Sequence, residues 1–298
     1  MEKNAKKGIA LAILAAALYA INSPLSKILL QYMSPTLMAG FLYIGAGLGM
    51  SVIALMRVIS GKKASESRLT RAELPYTLSM IALDIAAPVF LLIGLNNTTA
   101  ANASLLNNFE IVATAMIALV VFKEAISPRL WCGIAFVSLS CILLSFEDME
   151  SLQFSHGSLF ILLAAVCWGV ENNCTRRLSG KDPLQIVLLK GIFSGAGAIV
   201  IGLCAGERIA HLWCVLAVIG VGFVAYGLSI FFYVYAQRRL GAARTSAYYA
   251  IAPFIGVILS LIIFNDIPKI AFYIALVLMI IGAYLCSGDG PIFKKKPD

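Results

Sequence analysis

Apolar residues fill long uninterrupted stretches of this chain, and polar residues gather in short clusters between them. A helix needs about 17–25 apolar residues to cross roughly 30 Å of hydrocarbon. Ten stretches meet that length: 8–30, 35–59, 75–95, 99–122, 129–146, 157–178, 184–204, 212–236, 243–264 and 269–287. The connections are mostly short and leave no room for a separate soluble domain. The pattern predicts an all-α, polytopic membrane protein with ten transmembrane helices, among which any activity must reside.

The pattern also repeats. GIALAILAAALYAINSPLSK from Gly8 returns as GSLFILLAAVCWGVENNCTR from Gly157. In that alignment Tyr19 falls on Trp168, Asn22-Ser23-Pro24 on Glu171-Asn172-Asn173, and Ser26-Lys27 on Thr175-Arg176. Pro35 then matches Pro183, Gly45-Ala46-Gly47 matches Gly195-Ala196-Gly197, Ser104 matches Ser246, and Phe122-Lys123-Glu124 matches Phe264-Asn265-Asp266. Five helices thus occur twice, over residues 1–150 and 151–298. Because five is odd, the second copy enters the membrane from the opposite side, and a pseudo-twofold axis in the membrane plane should relate the copies. Many secondary transporters are built as such inverted repeats, with substrate near the midplane where the repeats meet. The internal echo also argues that the first apolar run is a retained helix, not a cleaved signal peptide.

Composition agrees: 60% of residues are hydrophobic and the mean hydropathy is +0.91, well above the roughly 45–50% apolar content of soluble domains. The net charge of +8 is distributed by topology. Alternate connections and the two termini hold 19 of the 23 Lys and Arg residues, which places both termini in the cytoplasm of a cell whose cytoplasmic membrane the chain crosses. The opposite side carries Glu147, Asp148, Glu150, Glu207 and Asp266. The basic loops orient the protein and meet anionic lipid, so nucleic acid is not needed to explain them. Seven cysteines without CxxC spacing read as packing residues, not disulfides or metal ligands. His156 and His211 fall in external connections, and no HExxH, GxSxG or phosphate loop is present. An intramembrane enzyme, a resident metal or a cofactor therefore has no support, and neither does an ATP-driven pump.

Four charged residues lie well inside the apolar stretches, away from the connections: Asp84, Glu110, Glu171 and Lys190. Each costs about 2.5–3.5 kcal/mol at a helix centre, so a functional reading is favoured. Counting about 1.5 Å per residue puts Asp84 and Glu110 near the midplane, where they could meet and one could load and release a proton. The same count puts Glu171 and Lys190 nearer the cytoplasmic face, as an ion pair locking two helices or as a receptor for a zwitterion. Ala103, Asn107 and Thr114 share a face with Glu110, and Tyr249 lies on the corresponding stripe of the second copy. Asn22-Ser23-Pro24 interrupts the first span, a pointer to a site. Where the copies disagree, chemistry is expected: Asp84 against Tyr226, Glu110 against Ala252, and Asn22-Ser23-Pro24 against Glu171-Asn172-Asn173. Trp168, Tyr226 and Tyr249 complete the candidate set.

The run NNTTAANASLLNNFEIVATAMIALVVFKEAIS and its partner RRLGAARTSAYYAIAPFIGVILSLIIFNDIP, with Pro253, resemble the drug/metabolite transporter superfamily, in particular its EamA-type double-domain members, over nearly the whole chain. Ile111 stands where that family commonly has proline, which argues against a proline kink in the fourth span. The resemblance implies two EamA-like repeats and export or exchange of small metabolites, often amino acids or cationic compounds. The expected function is secondary active transport of a small polar metabolite by alternating access, with proton coupling as one mode. An exporter of cationic drugs or amines is the alternative, a passive channel a weaker one, and the oligomeric state stays open.

Overall fold

The computed structural model describes residues 2–61, 67, 69–123, 126–148, 153–178, 181–209, 211–240, 245, 248–265 and 267–286. Helices dominate: α1 (Glu2–Ala20), α2 (Asn22–Leu29), α3 (Pro35–Ile59), α4 (Leu74–Asn96), α5 (Ala100–Leu106), α6 (Phe109–Phe122), α7 (Pro128–Ser145), α8 (His156–Leu178), α9 (Pro183–Leu189), α10 (Gly195–Cys204), α11 (Leu212–Gly222), α12 (Ser229–Leu240), α13 (Ala252–Phe264) and α14 (Ile270–Cys286). Among the described residues, eight helical segments are long and apolar enough to cross a membrane, from Lys6–Leu29 to Leu212–Ala236. Two shorter apolar helices, Ala252–Phe264 and Ile270–Cys286, follow them. The start of the predicted ninth span, with residues 243, 244, 246 and 247, lies outside the described residues, as do Glu124, Glu150, Asp266 and Lys294 to Lys296. The sequence pattern did not announce a small antiparallel ladder joining α7 to α8, in which Phe146 pairs with Phe154 and Asp148 with Gln153.

Several predicted spans are divided. Helix α1 stops at Ala20 and α2 restarts at Asn22, since Pro24 has no N–H to offer the carbonyl four residues back. A turn at Asn107-Asn108 separates α5 from α6, and another at Ala250-Ile251 precedes α13. The fourth span is therefore broken although Ile111 replaces the proline. Between α9 and α10 the chain makes a π-helical turn over Lys190–Ser194, and between α11 and α12 a second one over Phe223–Leu228. Their counterparts in the first half, α3 and α4, are uninterrupted α-helix.

The halves exchange partners. Helix α4 packs on α8 as α12 packs on α1, α6 lies on α8 as α13 lies on α1, and α3 and α10 cross each other, as do α7 and α14. Left-handed Lys123 (φ 53°) and Asn265 (φ 52°) end α6 and α13 at matched positions. Glycine allows the α3–α10 pair to touch backbone to backbone. A Cβ on Gly195 would lie 2.8 Å from the Gly40 carbonyl, and one on Gly191 2.3 Å from the Gly47 nitrogen.

Both ends of this pair are clamped. At one end Gly206 (φ 82°) turns the chain so that Glu207 accepts from the Thr36 and Leu37 amides at 3.3 and 2.8 Å. These are orphan donors of the α3 N-terminus, where negative charge is favoured. At the other end Asp182 caps α9 through the Leu184 amide at 3.1 Å and pairs with Arg57 at 3.0 Å.

Candidate functional site

Three of the four intramembrane charges form one cluster. The π-helical turn aims Lys190, from the end of α9, between α4 and α8, where Nζ lies 3.2 Å from Asp84 Oδ2 and 2.8 Å from Glu171 Oε1. Asp84 is 1% exposed, Glu171 3% and Lys190 8%, so the cluster is shielded from lipid and from bulk water. Tyr43 on α3 donates to Asp84 Oδ1 at 2.9 Å, and Thr175 donates to Glu171 Oε1. One ammonium therefore faces two carboxylates, leaving one formal negative charge in excess.

This corrects two expectations. Asp84 and Glu110 take different partners, and Lys190 and Glu171 do not form a level separate from Asp84. Counting residues along isolated helices fixes depth only for straight, untilted ones. Here α4 runs against α8 and the π-turn re-aims Lys190.

Glu110 begins α6 just after the Asn107-Asn108 turn and accepts from Asn172 Nδ2 at 2.5 Å. Gly169 makes that reach short: a Cβ there would lie 2.6 Å from Ala113 Cβ, so α8 and α6 nearly touch. Asn172 also approaches Thr114 Oγ1 at 3.4 Å, and Asn173 donates to the Thr114 and Gly169 carbonyls. Among the described residues Glu110 makes no ion pair.

Tyrosines gather on the facing side. The Tyr19 and Tyr226 rings are 5.9 Å apart, Tyr19 and Tyr249 6.0 Å, Tyr43 and Tyr226 5.1 Å, and Tyr233 and Tyr249 4.9 Å. At the α1–α2 break, Asn22 donates to the Tyr226 hydroxyl at 3.3 Å and accepts from Ser26 at 3.1 Å. Ser229 bonds the Ala15 carbonyl and lies 3.4 Å from the Tyr249 hydroxyl. Asn107 bridges the two sides by donating to the Tyr19 hydroxyl at 3.2 Å, while its Oδ1 has no protein partner among the described residues. The carboxylates thus come from the packed set α4, α6 and α8, and the tyrosines mainly from α1, α12 and the helical turns beside α12 and α13.

Of the sequence-predicted residues, Asp84, Glu171 and Lys190 come together, Glu110 joins Asn172, and Asn22, Asn107, Tyr226 and Tyr249 join through Tyr19 and the tyrosine cluster. Ser23 is partly exposed one turn before Ser26 and Lys27. Trp168 is buried in the apolar core one turn before Glu171 and Asn172. Tyr19, Tyr43, Tyr233, Thr175 and Ser229 were missed as site residues. Their signal was a hydroxyl in an apolar span at helical spacing from a buried face, as Tyr43 is with Ala39, Ala46 and Met50.

Known proteins bear on this arrangement. The family model described as the EamA-like transporter family matches twice, over residues 6–146 and 155–288. An uncharacterized transporter of Methanothermobacter thermautotrophicus is 26% identical over 93% of this chain and 85% of its own length. The uncharacterized transporter YyaM of Bacillus subtilis is 24% identical over 89% of this chain and 88% of its own. A crystal structure 18% identical in sequence covers 93% of this chain and 94% of its own, with a TM-score of 0.68, a likeness of fold. The repeated match accounts for most of the chain and for both halves of the site: the chain belongs to the EamA-like transporter family.

Proposed function

We propose that the protein is a secondary carrier that exports or exchanges a small polar metabolite, an amino acid or related compound, by alternating access across the cytoplasmic membrane. In this reading ten helices form two inverted five-helix repeats, 1–150 and 151–298, with both termini in the cytoplasm. The exchange of helix partners between the halves supports the inverted arrangement, and the distribution of Lys and Arg supports the orientation. Substrate sits between the carboxylate and tyrosine sides, with Asn22, Ser23, Asp84, Asn107, Glu110, Trp168, Glu171, Asn172, Lys190, Tyr226 and Tyr249 as its binding or coupling residues.

The observation that carries the reading is Glu110, a carboxylate held by an amide and, among the described residues, without an ion pair, one turn from an asparagine that touches the tyrosine side. Such a group binds a substrate ammonium or a proton, and the tyrosine faces suit a cation. The saturation of Lys190 by two acids favours the second reading, an exporter of amines or cationic drugs, because Lys190 is then not free for a substrate carboxylate. A panel of amino acids and amines in proteoliposomes with an imposed pH gradient separates the two. Glu110→Gln is expected to abolish coupled uptake of protons and substrate while the protein stays monodisperse; wild-type coupled uptake in that variant would remove Glu110 from the mechanism. Lys190→Met with unchanged selectivity for amino acids over amines would remove Lys190 from substrate binding.

A further inference from the structure

Lys27 stands apart from the basic loops: it lies in the last turn of α2, toward the face opposite the amino terminus. Its Nζ donates to the carbonyls of Leu95 at 2.6 Å and Asn96 at 3.1 Å, the last two residues of α4. A helix leaves its last four carbonyls without partners in the helix, and its carboxyl end favours a cation. Here Asn97 serves the two earlier ones, its side chain donating to Ile93 at 2.7 Å and its amide to Gly94 at 3.0 Å. Lys27 serves the other two. The bond joins the tyrosine side, to which α1 belongs, to α4 of the carboxylate side. An open cavity of about 340 Å³ at that face is lined by Gln31, Tyr32, Ser34 and Arg208 and by Asn96, whose carbonyl Lys27 holds, while Asn22, bonded to Tyr226, lies on the same short helix toward α1.

The element that carries Lys27 is only eight residues long and is separated from α1 by the break at Ile21. It packs on α4, α5, α11 and α13, so a swing about that break would move this short element against those helices while leaving α1 in place. We infer that Lys27 is a latch that shuts the site off from the face opposite the amino terminus, and that its release from the α4 carboxyl end, with a swing of α2, opens that face. The latch is a positioning device; it rests on the carrier reading and adds to it which contact must break for one of the two openings.

The test needs no substrate. Ser23→Cys places a thiol one turn inside the latch. Its modification by a membrane-impermeant maleimide, applied separately to each face of oriented vesicles, is followed by mass spectrometry of the peptide containing residue 23. With Lys27 present, modification from the latched face should be slow. Lys27→Gln or Lys27→Met should speed it on the order of tenfold, by enlarging a minor open population, whereas Lys27→Arg, which keeps a donor, should stay slow. The two neutral variants differ in polarity, so a folding failure in one leaves the other to decide. Equal rates with and without the lysine overturn the latch, as does acceleration only from the amino-terminal face. A residue 23 that reacts from neither face in any variant overturns it too, since release then exposes nothing. The carrier reading stands or falls separately, on flux in the metabolite panel.

Discussion

Lys190 is held by Asp84 and Glu171 at once, so removing it strands two buried carboxylates. Breaking a buried pair by deleting one partner costs about 3–5 kcal/mol. Lys190→Met is therefore expected to lower the thermal unfolding temperature in detergent markedly, and adding Glu171→Gln should recover part of the loss because one stranded charge is gone. Additive losses in the double variant would contradict the shared-ammonium arrangement. The four intramembrane charges were legible in the sequence because charge among apolar residues has a known cost. The Glu171–Lys190 ion pair was one of two readings of their shared depth, but the joining of Asp84 to it was not legible. It depends on which faces of α4, α8 and α9 turn toward one another and on the π-turn that begins at Lys190 itself. The tyrosine hydroxyls were hidden for a related reason: a tyrosine in an apolar run reads as packing until its partner, such as Asp84 for Tyr43, is seen.

Between helices the energetics turn on approach distance. A Cβ on Gly222 would sit 2.0 Å from the Leu42 carbonyl, and one on Gly45 2.1 Å from the Ile219 carbonyl, whereas a Cβ on Gly220 would meet nothing within 4 Å. Gly222→Ala should cost about 1–3 kcal/mol by forcing backbone apart. Gly220→Ala should be neutral or stabilising by about 0.5–1 kcal/mol, since alanine suits a helix interior better. Comparing thermal unfolding of the two in the same detergent checks both signs. The interruption of the first span was visible in the sequence, because proline announces it. The break at Asn107-Asn108 was not, because two asparagines in an apolar run are compatible with a continuous helix. The π-turns leave no compositional mark at all, and they fall in the copy whose sequence otherwise matches uninterrupted helices.

For the molecule as a whole, the clamps on α3 and α10 predict a measurable pattern. Hydrogen exchange of the Thr36 and Leu37 amides should be slow, and Glu207→Ala should speed exchange at that N-terminus without affecting the Arg57–Asp182 end. Faster exchange at both ends would mean that the clamps are not independent. The internal repeat made the two-copy organisation readable from the sequence, and the family match over residues 6–146 and 155–288 agrees with it. What it left open was how far the copies diverge where they face each other, and that divergence has a kinetic meaning. In a carrier of two identical halves, the conformations facing either side would be mirror outcomes with equal resting populations. Here Asp84 of the first half stands against Tyr226 of the second, and Asn22 against Glu171, so in the proposed carrier exchanging the roles of the halves yields a different molecule, and the empty protein would rest preferentially toward one side. A bias of only about 1.4 kcal/mol would make that preference tenfold, so under the carrier proposal the resting orientation is set by the chain's own sequence before any gradient acts on it.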